Sequence, residues 1–389
     1  MPVSRTLPSD EARALLDLTG DLAARELRPR VAIDEQAGRF PRDAFSTLGE
    51  AGLLGLPFAQ EYGGGAQPYE VYLQVVEELA GAWLAVGLGV SVHTLSAFPV
   101  AAFGTDQQKA EFLPAMVGGD RLGAYCLSET NSGSDAAALV TSAVREGDDY
   151  RIRGTKAWVT HGGVADYYSV FLRTGGPGAA GISTVLVEAA TPGVSPQPPE
   201  HKMGMASSPT AQIVFDDAVV PVTRRIGEEG QGFRIALAAL DGGRLGIAAC
   251  AVGVAQAALD YAVAYAEERK QFNRAIIDFQ GLGFLLADMA TQVAAARALY
   301  LDAARRRDAG QPYGAMAAMA KLFATDMVMR VTTDAVQVLG GAGYVEDHPA
   351  ERWMREAKVL QIVEGTNQVQ RLVIARALSP AKVAKSSRH

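Results

Sequence analysis

The stretch Gln361-Ile362-Val363-Glu364-Gly365-Thr366-Asn367-Gln368-Val369-Gln370-Arg371-Leu372 sets one carboxylate between an apolar pair and a Gly-Thr turn. Thr366 or Asn367 is placed to cap the helix that follows. Two readings of Glu364 are open. An acid just before a helix N-terminus is favoured by the positive end of the helix dipole. A carboxylate in a partly apolar pocket has its pKa raised toward the range of a general base. Other arrangements that could do chemistry fail on spacing. A di-iron site in a helical bundle uses Glu-x-x-His pairs, but the residues three before His93, His161, His201 and His348 are Val90, Trp158, Pro198 and Val345. Gly176-Pro177-Gly178-Ala179-Ala180-Gly181 spells G-x-G-x-x-G yet leads into the strand-like Ser183 to Val187, so it reads as a loop between strands. No P-loop or G-x-S-x-G occurs. Ser379-Pro380-Ala381-Lys382 spells S-x-x-K in a polar tail ending at His389, and reads as chance.

Several segments remain. Tyr125-Cys126-Leu127-Ser128-Glu129-Thr130-Asn131-Ser132-Gly133-Ser134-Asp135 gathers hydroxyls and small residues where backbone can approach a ligand. About thirty residues on, Lys156-Ala157-Trp158-Val159-Thr160-His161-Gly162-Gly163 puts an aromatic and a hydroxyl at a turn. Glu268-Arg269-Lys270-Gln271-Phe272 and Gln337-Val338-Leu339-Gly340-Gly341 follow, and then Glu364. Each segment by itself also fits a plain polar turn or a helix end.

The elements that must carry these groups show in the pattern. Residues 10 to about 120 are Ala/Leu-rich and helical, broken at Phe40-Pro41, Tyr62-Gly63-Gly64-Gly65 and Phe98-Pro99. From about 121 to 227 come short strands: Tyr150 to Arg153 alternates, and Ser183 to Val187 and Gln212 to Phe215 are apolar runs. Pro192 to Pro199 reads as an exposed loop. After Gly232 helices return. Leu282, Leu285, Leu286, Met289, Val293, Ala296 and Tyr300 form one stripe that ends in Arg305-Arg306-Arg307, Gly310 and Pro312. Met316, Met319, Phe323, Met327 and Val331 form the next, stopped by Gly340-Gly341. The expected fold is α+β and multidomain, with helices, then a β domain, then a helical bundle. The expected boundaries are 1–120, 121–227 and 228–389.

Bulk composition narrows the function classes. Hydrophobic residues make up 49% and charged ones 20%, which is globular. A net charge of −7 gives no nucleic-acid footprint. Two cysteines, Cys126 and Cys250, lie far apart, which fits a reducing compartment without disulfides or a thiolate zinc site. No signal core opens the chain, and no apolar run is expected to reach the ~18 residues of a membrane span. A cytoplasmic protein without membrane or metal is expected.

Together the surviving segments resemble the acyl-CoA dehydrogenase family, nearest in pattern to its short- and branched-chain members. The resemblance also takes in Glu61-Tyr62-Gly63-Gly64, Phe103-Gly104-Thr105 with Gln108-Lys109, Leu240-Asp241-Gly242-Gly243-Arg244 and Gln370-Arg371-Leu372, and so covers nearly the whole chain. It implies FAD, an α-helical N-terminal domain, a β-barrel middle domain, a C-terminal four-helix bundle and a homotetramer. It implies that Tyr125, Leu127, Ser128, Gly133 and Ser134 line one FAD face, with Trp158, Val159 and Thr160 against the flavin ring. Arg269, Phe272, Gln280, Gln337, Gly340 and Gly341 resemble positions reaching a neighbouring subunit's FAD. Thr366, Asn367 and Gln368 would add donors from a helix N-terminus. Ser134, Asp241, Gly242, Gly243, Arg244 and Gly365 match positions around the acyl-CoA. Glu364 would then be the base that removes the α-proton while a hydride leaves the β-carbon, giving a trans-2-enoyl thioester of fatty-acid β-oxidation. An electron-transferring flavoprotein is the implied acceptor.

Some positions depart from the family's usual residues. Thr130 and Ser132 replace Pro and Ala, His161 stands where Asn is frequent, and Ala206 stands where Arg is common. Val363 replaces the Tyr that often precedes the base, which should leave room beside the reacting carbons. Phe98, in the segment that floors the acyl pocket by resemblance, should shorten it. Short or branched acyl groups are therefore expected. Two alternatives stay open: a dehydrogenase of acyl groups tethered to a carrier protein, and a non-catalytic flavin-binding relative.

Overall fold

A computed structural model describes residues 5–378. The S-x-x-K match and His389 lie outside the described residues. Eleven α-helices occur among them: α1 (Asp10–Leu22), α2 (Val31–Ala37), α3 (Arg42–Glu50), α4 (Tyr69–Ala82), α5 (Leu84–Phe103), α6 (Asp106–Val117), α7 (Gly232–Glu268), α8 (Gln280–Asp308), α9 (Gly314–Leu339), α10 (Ala350–Leu360) and α11 (Asn367–Leu378). Between α6 and α7 run β1 (Gly123–Cys126), β2 (Ser142–Glu146), β3 (Asp149–Thr160), β4 (Tyr167–Arg173), β5 (Ile182–Glu188), β6 (Val194–Pro196), β7 (Thr210–Pro221) and β8 (Arg225–Ile226). The expected order of helices, sheet and helices is the observed one.

The chain packs as two compact units. One holds the described parts of Met1–Pro29, Pro68–Leu88 and Arg244–His389; the other holds Arg30–Gln67 and Gly89–Gly243.

The second unit is built on one mixed sheet of order β6-β7-β3-β2-β4-β5-β8, with β1 parallel beside β4. The alternation of β3 turns Tyr150 and Ile152 inward to meet Val170, Leu172, Val185, Val187, Ile213 and Phe215 in one apolar core. The Gly176–Gly181 loop joins β4 to β5, as its context required. Arg173 clamps it by donating to the carbonyls of Gly176 and Gly178.

In the first unit α9 packs against α8, α10 and α11, and α4 packs against α1 and α8. Glu77 of α4 is fully buried and accepts from Arg5, from Arg297 of α8 and from the Tyr300 hydroxyl. Where α4 meets α7, a Cβ at Gly253 would sit 2.1 Å from the Glu77 carbonyl, so only glycine permits the approach.

Four expectations are corrected. Phe98-Pro99 does not break a helix: α5 runs through Pro99, which costs one backbone hydrogen bond inside an otherwise apolar helix. The Pro192 to Pro199 segment is not all loop, because Val194–Pro196 adds an edge strand to β7. Prolines are tolerated at such an edge. Apolar runs of membrane-span length do occur: α5, α7 and α8 are long and apolar enough, and 89% of the α5 window is buried inside the fold. Finally, the core stripe of α9 keeps Met327 and Val331 of the expected pattern but runs otherwise through alanines. Ala317, Ala320, Ala324, Met327, Val328 and Val331 are buried, while Met316, Met319 and Phe323 are only half-buried.

Candidate active site

Glu364 sits in the turn between α10 and α11. Val359 takes up the N–H groups of Ile362 and Val363 as α10 ends, and Thr366 caps α11 by accepting from the Val369 N–H at 3.3 Å. The residues between must reverse direction within one turn. Glu364 takes φ +54° and Gly365 φ +90°. A non-glycine residue in the left-handed region costs about 1–2 kcal/mol, and such positions cluster where function demands them.

This strain buys an unusual carboxylate. The residue as a whole is half-buried, yet both carboxylate oxygens are shut off from solvent and have no hydrogen-bond partner. Burial pushes its pKa up to about 8, against the opposing pull of Lys321 and Arg244. Tyr69 of α4 and Cys250 of α7 feel its charge as well. A carboxylate able to exchange a proton near neutrality, with free lone pairs, is equipped as a general base. Its backbone N–H finds no acceptor among the described residues.

The neighbouring polar groups bond the chain around Glu364, and of these Gln370 keeps an unpartnered Oε1. Lys321 of α9 is buried and donates to the Gly365 carbonyl at 3.0 Å and to Asn367 Oδ1 at 2.9 Å. Asn367 returns its amide to Asp326 and Thr325, and Gln370 donates to Gly365 at 2.7 Å. Asn367, expected to add a donor at the start of α11, has its side chain taken up by α9 and its N–H donated to the Gln361 carbonyl at 3.0 Å, which leaves it no free donor for a cofactor. Gln368 remains exposed. Arg244, expected at the substrate's CoA arm, is 5% exposed on α7 and close enough to act on Glu364. The costly pair Gly242-Gly243 lies within the same uninterrupted helix, between Asp241 and Arg244.

The other group of expected site residues lies in the sheet unit. There the Tyr125 to Asp135 and Lys156 to Thr160 segments are brought together. The Ala157 N–H donates to the Ser128 carbonyl, and Lys156 donates to the Leu127 carbonyl and to Glu129. Glu129 also accepts from the N–H groups of Val140 and Thr141. Glu129 and Lys156 thus form a buried ion pair between the two motifs, which the place of each in its own motif does not disclose. Tyr125 packs on Phe171 at 4.8 Å and donates to the Ala236 carbonyl.

The β3–β7 ladder slips between Lys156 and Val159. In that bulge Trp158 takes φ +60°, and its indole is 59% exposed while Val159 is buried. Ser128 and Thr160 are half-buried, and Gly133 and Ser134 are exposed. An open aromatic face beside hydroxyls and exposed backbone has the chemistry to hold a neutral flavin ring. FAD fits this donor set.

In the helical unit Arg269, Phe272 and Gln280 are exposed around the short hairpin after α7, and Phe272 is held at φ +52°. Gln337, Gly340 and Gly341 are exposed at the end of α9, separate from that hairpin in sequence. Of the departures, His161 is buried and donates its Nδ1–H to the Gly123 carbonyl at 3.0 Å, edge-on to Phe40 and Phe45. Ala206 is exposed beside Ser207, whose hydroxyl donates to buried Glu35. Phe98 is half-buried with its ring edge toward Phe103.

A desolvated carboxylate on a strained turn in one unit, and an exposed indole beside a hydroxyl-rich loop in the other, are the kinds of group a flavin-dependent oxidoreductase uses. Comparison with known proteins identifies which kind. The N-terminal, middle and C-terminal domains of acyl-CoA dehydrogenases match residues 9–120, 124–218 and 230–379. The chain is 43% identical to the "Acyl-CoA dehydrogenase, short-chain specific" of Clostridium acetobutylicum, over 94% of this chain and 97% of that one. Butyryl-CoA dehydrogenase from Megasphaera elsdenii superposes with TM-score 0.94 at 41% identity, covering 96% and 100% of the two chains. A chain from the structure of the electron transferring flavoprotein of Acidaminococcus fermentans superposes with TM-score 0.94 at 44% identity, covering 96% and 99%. This chain belongs to the acyl-CoA dehydrogenase family and is an FAD-dependent enzyme.

Proposed function

We propose that the protein dehydrogenates short or branched acyl-CoA thioesters to trans-2-enoyl-CoA, with Glu364 as the base. The observation that carries this reading is the Glu364 carboxylate itself, desolvated and unpartnered. The α-hydrogen of a thioester is weakly acidic, so its removal needs a positioned base and a stabilised enolate-like oxygen. Glu364 takes the α-proton, and its N–H is available to the thioester carbonyl. The fold around the carboxylate shuts it off from solvent, although Ile362 beside it is exposed and Val363 half-buried. Bound FAD supplies the acceptor for the β-hydride. Trp158, Val159 and Thr160, with Tyr125, Leu127, Ser128, Gly133 and Ser134, would hold its ring; Arg269, Phe272, Gln280, Gln337, Gly340 and Gly341 would reach a neighbouring subunit's FAD, and Thr366 and Gln368 would add donors from a helix N-terminus.

The short-acyl preference is supported by Val363, which withdraws a ring from the reacting carbons, and by the names of the Clostridium and Megasphaera relatives. An electron-transferring flavoprotein as acceptor is supported by the Acidaminococcus structure. A homotetramer, a cytoplasmic setting and a place in β-oxidation belong to the same proposal, as do domain boundaries near residues 120 and 227. Two free, buried cysteines fit a reducing compartment.

Glu364→Gln keeps the shape but cannot accept the proton. FAD should stay bound, and anaerobic bleaching of the flavin by butyryl-CoA should slow by about 10²–10⁴-fold. Bleaching at the wild-type rate would remove Glu364 from the mechanism. A wild-type profile across acyl-CoAs that peaks at long straight chains would overturn the substrate assignment.

A further inference from the structure

We propose that Lys321 is a positioning residue for the dehydrogenation, a buried ammonium that anchors the turn carrying Glu364 and whose charge governs when that carboxylate can accept a proton. The inference rests on the reading of Glu364 as the base.

Lys321 is 0% exposed in the middle of α9, among Ala317, Ala318, Ala320 and Ala324. An ammonium in such surroundings is costly to desolvate and persists where its hydrogen bonds and nearby charges compensate. Here they converge on the base. Two of its protons go to the Gly365 carbonyl and to Asn367 Oδ1, the residues just after Glu364. The same stretch of α9 gathers the rest of the turn: Asp326 accepts from Gln361 at 2.7 Å, from Asn367 at 2.7 Å and from Arg371 at 3.1 Å. Residues on both sides of Glu364 are thus tied to positions 321–326, while the Glu364 carboxylate is tied to nothing and only its carbonyl accepts, from Gln370 at 3.3 Å. The anchor explains how two consecutive left-handed residues persist at 364 and 365.

The choice of partners carries chemical sense. Had the ammonium bonded the carboxylate directly, it would have held the carboxylate well below neutrality and occupied the lone pair meant for the carbon-bound proton. Spending its protons on the backbone lets Lys321 favour the ionised base through space only. Burial lowers the pKa of Lys321 to about 8, opposed by Glu364 and Asp326, so the two groups titrate as a coupled pair. The ionisable groups acting on this pair come from three helices: Tyr69 of α4, Arg244 and Cys250 of α7, and Asp326 of α9. After burial, Lys321 is the largest influence on Glu364, ahead of Arg244.

The test uses holoenzyme carrying Lys321→Gln or Lys321→Met, with butyryl-CoA. Both variants remove the charge; only Gln keeps donors for Gly365. In both, the acid limb of kcat/KM should move up by on the order of one pH unit. Above that limb, Lys321→Gln should keep kcat within several-fold of wild type, and Lys321→Met should lose on the order of tenfold or more from a loosened turn. The infrared carbonyl band of protonated Glu364, assigned by difference against Glu364→Gln, should persist to higher pH in both. A limb and band that stay at the wild-type pH in the folded, FAD-loaded variants would overturn the proposal and leave Lys321 a structural residue. If Lys321→Met fails to fold, Lys321→Gln decides alone. Wild-type turnover by Glu364→Gln would instead sink the assignment of the base.

Discussion

Each compact unit buries one lysine near one glutamate, and the two arrangements are opposites. In the sheet unit Lys156 Nζ meets Glu129 at 2.8 Å, and the N–H groups of Val140 and Thr141 fill the remaining lone pairs. Burial works against ionisation of Glu129, but Lys156 and these donors outweigh it and hold the carboxyl below its ordinary range. In the helical unit Lys321 passes over Glu364 and bonds the chain around it, and burial lifts that carboxyl to about 8. Similar residue types thus do two jobs. A satisfied pair fixes the loop from Leu127 to Thr141, and an unsatisfied glutamate stays ready for a proton. The sheet unit is equally economical with its histidines. His93 and His161 are buried, hold the N–H and the carbonyl of Gly123 between them, and are kept neutral, with pKa values lowered to about 4 by burial.

The two largest expected effects on stability test this sheet-side design. A histidine neutral in the fold but protonated when unfolded stabilises fully above pH 6.5, and that stability is lost as pH falls toward 4. The cost is about 3 kcal/mol for one histidine at pH 4, and less than double for the adjacent pair. His161→Asn should therefore flatten the fall in urea midpoint between pH 6.5 and 4; an unchanged slope would mean that His161 does not titrate in this window. Next, Lys156→Met strands a buried carboxylate and should destabilise by about 3–5 kcal/mol, read by denaturant unfolding. A loss below about 1 kcal/mol would erase the contrast between the two pairs.

Glu364→Gln should move stability the other way. At pH 7 the folded chain holds Glu364 protonated while the unfolded chain does not, so the native residue is a burden. The amide should raise stability by about 1–3 kcal/mol, part of the gain being offset by its own unbonded donors. A lower melting temperature would show that the carboxylate has partners when folded. The smallest effect is a displacement in pH: wild-type kcat/KM should rise through a limb near pH 8 as Glu364 loses its proton. A limb near 4.5 would place the base in water.

Much of the plan was legible in one dimension. Strands announce themselves by alternation, as at Tyr150 to Arg153, because sheet faces repeat every two residues. Glycines after Arg173 marked a loop rather than a nucleotide site, because a strand follows them. Glu364 stood out for the same local reason, a charge between apolar residues and a glycine. Less legible were features set by distant neighbours. The α9 stripe was misjudged because large side chains dominate a pattern, whereas close packing against α8, α10 and α11 selects alanine. Pro99 stays helical because the surrounding apolar helix is buried whatever its local preference.

The sequence by itself determined which residues could carry a flavin and a base, since residue type and order along the chain define that chemistry. Only the tertiary structure decided how each is used. Desolvation, left-handed strain and the direction of a lysine's protons arise where helices far apart in sequence meet. The Glu364 carboxylate is left with no partner where Lys321 and Asp326 of α9 bond instead to Asn367 of α11.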